Sequence, residues 1–189
     1  MRSLFYRPLN VGRLTYMSIS DEIRNRCTEG QLLRLEALAD PRAYQVASSD
    51  RRTMYVSPDI AKYLEWDDEL AAIAQADLED FILGREMAVA LKRERHQGCR
   101  MARLDRPRDE VWEIRVHEAK PQLRFFGRFA ECDVFIALIG PIGRRDLFGK
   151  GWDRIKRECQ TKWERLFGLN PPVIGRTIHD YISKKVRVV

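Results

Sequence analysis

Histidine, cysteine and long apolar runs are all scarce in this chain of 189 residues, and each shortage excludes something. There are three histidines and four cysteines. Cys27, Cys99, Cys132 and Cys159 are scattered, with no CxxC pair and no histidine at ligand spacing. A structural zinc site needs four converging ligands, so no metal is expected, and reduced, partly buried thiols fit the pattern. No apolar run approaches the length that crosses a bilayer. Near the start, Leu4, Phe5, Leu9 and Val11 are interrupted by Arg2, Arg7 and Arg13, unlike the unbroken core of a secretory signal. Low-complexity sequence and internal repeats are missing too. The expectation is a cytoplasmic protein that binds no membrane, metal or organic cofactor.

What the chain does hold is charge, and its distribution is uneven. Apolar residues make up 44% and charged residues 33%, enough for a core beneath a heavily charged surface. The formal net charge is +6. Residues 1–140 carry 22 Lys and Arg against 23 Asp and Glu, whereas residues 141–189 carry 12 against 5. The basic surplus therefore belongs to the last quarter. It suits a polyanion, nucleic acid first, or else a solvated basic helix.

Residues 1–17 show no period and read as an extended arm. Ser20 is a candidate N-cap for a helix through Arg26, and Leu32, Leu35 and Leu38 suggest a second helix over Gln31–Ala39. Residues 43–56 read as two short strands around a polar turn. Ser57-Pro58 opens a short helix to Trp66. Asp67–Gln75 and Asp77–Arg95 read as helices, the second acidic at its start and basic at its end. Residues 59–80 form an acidic block that faces solvent or lies near the basic tail.

The sheet is the clearest element. In Val111–His117, Trp112, Ile114 and Val116 face one way, and Glu113, Arg115 and His117 the other. In Gln122–Phe129, Leu123, Phe125 and Phe129 oppose Arg124, Phe126 and Arg128. Period-two alternation marks half-buried strands. Val134–Ile139 is apolar throughout, as in a strand covered on both faces. Met101–Leu104 adds a further strand, and short connections predict antiparallel pairing. One face would gather Glu113, Arg115, His117, Arg124, Phe126 and Arg128. Arginines around an aromatic ring suit a phosphate backbone with a stacked base, and equally suit a solvated face of Glu–Arg pairs. The loop from Gly140 carries Arg144, Arg145 and Lys150 among glycines, without Walker spacing. A helix over Trp152–Phe167 turns Ile155, Cys159, Lys162, Trp163 and Leu166 inward, and Arg154, Lys156, Arg157 and Arg165 outward. A short helix in the tail, near His179-Asp180-Tyr181, is expected to act as a latch. His96 and His179 are read as structural, and the tryptophans as core anchors.

Over roughly residues 75–165 the order of these elements resembles the RelE/HigB-like ribonuclease toxins. The likeness rests on Trp112-Glu113-Ile114-Arg115-Val116, on Gln122-Leu123-Arg124-Phe125-Phe126, on the apolar strand and on the basic loop. It implies a RelE-like α+β domain over 71–189 with a C-terminal helical tail, preceded by an extension over 1–70 of helices and a short hairpin. It also implies metal-independent cleavage of RNA, by attack of a 2′-hydroxyl on the adjacent phosphate. The substrate would be RNA or ribosome-bound mRNA, and the partner a small antitoxin. By position in the motifs, Arg115 and Arg124 would hold the phosphate, and Arg144 or Arg145 would match the basic loop. Glu113 or His117 is the candidate proton acceptor from the shared sheet face. Arg128, Phe126, Arg144, Arg145 and Lys150 would bind RNA. The same pattern also accommodates a non-catalytic nucleic-acid- or protein-binding module, or an assembly protein with a basic docking tail.

Overall fold

A computed structural model describes residues 17–38, 47–92 and 98–189. Residues 1–16 of the expected arm, most of the first of the two strands expected within 43–56, and His96 lie outside the described residues. The fold is mixed α+β. Among the described residues eight strands form one sheet: β1 (Leu33–Arg34), β2 (Thr53–Val56), β3 (Met87–Ala90), β4 (Met101–Arg103), β5 (Trp112–Val116), β6 (Leu123–Glu131), β7 (Val134–Gly143) and β8 (Val186–Val188). Their spatial order is β1-β2-β7-β6-β5-β4-β3-β8. The helices are α1 (Ile19–Thr28), α2 (Pro58–Leu64), α3 (Glu69–Ile82) and α4 (Gly151–Phe167).

The centre, β4 to β7, is antiparallel, as the short connections predict. The sheet as a whole is mixed, which corrects the expectation of antiparallel pairing throughout. β2 runs parallel to β7, and β3 runs parallel to both β4 and β8. Parallel neighbours need long connections, and for the β2–β7 and β3–β8 pairs the chain supplies them by bringing strands together from distant sequence.

Each face of the sheet is covered. On one side α2 and α3, with residues 178–182, enclose Met54, Leu78, Phe81, Trp112, Phe125, Phe129, Phe135 and Tyr181. On the other, α1 and α4 enclose Ile23, Phe126, Ile136, Leu138, Ile155, Cys159 and Trp163. In α4 the apolar side chains Ile155, Cys159, Trp163 and Phe167 recur every four residues and are buried, giving one face to the sheet. Burial pushes the Cys159 thiol up to about 12, so it stays protonated.

Two helix expectations are corrected. Gln31–Ala39 is no helix among its described residues: Leu33–Arg34 pairs with β2, and Leu35 N donates to the Met54 carbonyl at 2.9 Å. Asp77–Arg95 divides. The helix runs from Glu69 to Ile82, and Met87–Ala90 is a fully buried strand. Gly84 makes the break with φ +69, and a Cβ there would stand 1.9 Å from the Asp50 carbonyl oxygen.

The tail is anchored by Arg52, 3% exposed, whose guanidinium donates to the carbonyls of Phe81, Arg85, Lys184 and Lys185. Lys184 and Lys185 pair with Asp50, while Asp77 and Asp80 of the acidic block meet Arg100. Among the described residues no helix is long and apolar enough to cross a membrane.

Candidate nucleic-acid interface

Strand register decides how the sheet's charged residues meet. Arg115 lies directly opposite Arg124, and Glu113 opposite Phe126. Two arginines facing across a ladder repel, so a carboxylate is needed between them. Glu113 supplies it. Its Oε1 accepts from Arg115 Nε at 2.9 Å and Nη2 at 2.6 Å, and its Oε2 lies 3.3 Å from Arg124 Nε. The three side chains are nearly closed to solvent, at 1% for Glu113, 8% for Arg115 and 7% for Arg124. Gln122 Oε1 extends the cluster, accepting from Arg124 Nη2 and from Arg144 Nη1, each at 3.4 Å. Arg144 is exposed.

The other expected site residues divide. Phe126 is fully buried and meets Trp152 of α4 edge-on at 6.0 Å between centroids. Arg128 lies over the Trp163 ring at 5.4 Å, and its Nη2 donates to the Asp109 carbonyl at 2.6 Å. Burial lowers the Arg128 pKa, although a guanidinium stays charged at any ordinary pH. These two side chains are packing groups beneath α4. The open arginine face anticipated from the alternation is therefore closed at Phe126 and Arg128, where α4 lays its apolar side across it. His117 is turned to another task. Its Nε2 lies 2.9 Å from the Cys99 carbonyl, which can only accept, so that nitrogen carries the proton. Arg145 and Lys150 are exposed, in the segment that leads into α4.

Three exposed cations and the buried Lys156 meet elsewhere. A cleft of about 410 Å³ opens between the β4–β5 loop and the first half of α4, lined by Arg106, Asp109, Lys150, Asp153, Lys156, Arg157 and Gln160. Four cations there face two carboxylates. Lys156 Nζ pairs with Asp153 at 2.9 Å, and that contact holds the Asp153 carboxyl below its usual range. Arg106, Lys150 and Arg157 form no close ion pair among the described residues, although the charges of Arg106 and Arg157 help to lower the Asp153 carboxyl. Arg106 adopts φ +64, at the left-handed entry to the 3-10 turn Pro107–Asp109. That turn sets the loop over α4, where Arg128 holds the Asp109 carbonyl from beneath.

Arg106 carried no signal in the sequence, since nothing local ties it to α4. Arg157 lies exposed on the outer side of α4 as expected, whereas Lys156, also expected there, is buried at 7% exposure and paired with Asp153. Among the described residues no group of three or more His, Cys, Asp or Glu side chains is arranged to hold a metal ion. In comparisons with known proteins the chain matches no family model, no curated protein and no solved structure.

Proposed function

We propose that the chain is a nucleic-acid-binding module that grips a phosphate backbone in the cleft between the β4–β5 loop and α4. The observation that carries this reading is that Arg106, Lys150 and Arg157 line one cleft without forming close ion pairs among the described residues, so that four cations there outnumber two carboxylates. Exposed cations in excess of the neighbouring carboxylates attract phosphate and release its condensed counter-ions, so binding weakens as salt rises. The surplus of seven positive charges in residues 141–189 strengthens the field around the site.

The test is binding of labelled RNA across a salt series. A slope of about −0.7 per neutralised phosphate in log affinity against log salt is expected for a single strand. Lys150→Glu/Arg157→Glu is expected to lower affinity by at least about tenfold and to flatten the slope by about two contacts. Both residues are exposed, so the fold is expected to survive. Absence of salt-dependent binding by the folded protein would overturn the reading.

A second reading has its own support. Glu113, Arg115, Arg124 and Arg144, the core of the RelE/HigB-like expectation, are joined in one cluster through Gln122. Metal-independent cleavage of ribosome-bound mRNA would use such guanidiniums to stabilise charge on the phosphorane, and a small antitoxin would cover them. Arg144 is the informative position, because it is exposed and can be removed without opening the core. On this reading, Arg144→Ala lowers mRNA cleavage in a translating extract by about tenfold or more. Intact mRNA after incubation with folded wild-type protein, with or without ribosomes, excludes it.

A further inference from the structure

Phe148 is out of place for a large apolar residue. It is 73% exposed, whereas its neighbour Leu147 is fully buried. The backbone fixes this contrast. Residues Arg144–Leu147 form a 3-10 turn, Phe148 N is bonded to the Arg145 carbonyl, and Gly151 N to the Phe148 carbonyl. Gly149, at φ +64, bends the chain so that Phe148 stands at the tip of this turn. Cations flank it on both sides: Arg144 and Arg145 before it, Lys150 after it. The bonded turn Phe148–Gly151 keeps the Phe148 Cα within about 7 Å of Gly151, the first residue of α4, and beside Lys150, which lines the basic cleft. No ring contact or cation–π contact engages Phe148 among the described residues.

We propose that the nucleic acid taken by this cleft is single-stranded, and that Phe148 stacks one of its bases while Lys150, Arg157 and Arg106 hold the adjoining phosphates. The inference rests on the binding reading above and narrows its substrate. An exposed ring beside a row of cations gains little from a duplex, whose base faces are already stacked. It gains a full contact from an unpaired base, and every base offers a π-face. Stacking also explains an exposed phenylalanine among charges, where a solubilising residue would otherwise stand.

The test compares fluorescence anisotropy of a labelled single-stranded oligouridine with that of an RNA hairpin duplex of equal length, for wild type, Phe148→Ala and Phe148→Trp. Tighter binding of the single strand is expected. Phe148→Ala is expected to weaken it by about tenfold, leaving duplex binding and the salt slope unchanged. Phe148→Trp is expected to match or exceed wild type. Equal affinity for both forms, or an unchanged single-strand affinity in Phe148→Ala, overturns the inference and leaves the binding reading intact. If wild type binds neither RNA in a salt-dependent way, the binding reading fails and this inference with it.

Discussion

Replacing Glu113 with alanine is expected to cost about 3–5 kcal/mol of folding stability, because it leaves two guanidiniums buried without their shared carboxylate. Arg115 and Arg124 face each other across β5 and β6, and among the described residues Glu113 reaches both. Removing one partner of a buried pair costs far more than the pair contributes net, since the remaining charges keep their desolvation penalty. Arg124 keeps bonds to the Leu123 carbonyl and to Gln122, which places the loss toward the lower end of that range. The measurement is the urea midpoint at an unchanged slope. A double-mutant cycle with Arg115→Ala separates pairing from packing, and a coupling of about 1–3 kcal/mol is expected. A loss below about 1 kcal/mol for Glu113→Ala would mean that the arginines are neutralised from elsewhere. The result also bears on function. A large loss marks the cluster as a structural clamp. Catalysis by Arg115 and Arg124 would then require them to leave Glu113 for a phosphate.

The central strands were legible because alternation is a local signal, and β5 and β6 lie where the period of two put them. The partners of a strand are not local. Nothing near Met87–Ala90 announces that β4 and β8 flank it on either side, so its apolar residues read as a continuation of the helix before it. Gly84 was the available sign, and its meaning depends on Asp50, which approaches from another part of the chain. Likewise the spacing of Leu32, Leu35 and Leu38 fits a helix, but hydrogen bonds to β2 hold that segment extended. The same limit governs the site. Alternation correctly grouped Glu113, Arg115, Arg124, Phe126 and Arg128 on one face. It does not reveal that α4 covers part of that face, where Phe126 and Arg128, expected as ligand contacts, pack against Trp152 and Trp163. The cleft was hidden for the opposite reason: Arg106 and α4 are brought together only by the turn that closes the β4–β5 loop.

The tail latch makes the other large prediction. Tyr181 is fully buried, with its ring 4.6 Å from Trp112 and 5.4 Å from Phe129. Its hydroxyl donates to Glu110 Oε2 at 2.7 Å and accepts from Arg103 Nη1 at 2.9 Å and Gly175 N at 2.7 Å. Tyr181→Ala is expected to cost about 3–5 kcal/mol, through the cavity and the lost aromatic contacts. Tyr181→Phe keeps the ring and strands a buried carboxylate oxygen, for about 1–3 kcal/mol. The pH dependence separates the two causes. Burial, with the bond to Glu110, pushes the Tyr181 hydroxyl up to about 12, above the ordinary value of about 10. A group whose folded pKa is raised contributes stability that is complete below its unfolded pKa and is lost as pH rises through the folded one. Wild type is therefore expected to lose stability between about pH 10 and 12, and Tyr181→Phe to lose less over that window. Tyr55 and Tyr63 are also raised by burial, so a slope remains in the variant. At the acid end the sign concerns Glu110, whose carboxyl burial raises and the Tyr181 bond lowers. Without the hydroxyl, Glu110 bears its charge at greater cost. The deficit of Tyr181→Phe is therefore largest near neutrality and shrinks as falling pH protonates Glu110. Urea midpoints at acid, neutral and alkaline pH read all three points. A deficit independent of pH would show that the hydroxyl does not serve the Glu110 charge.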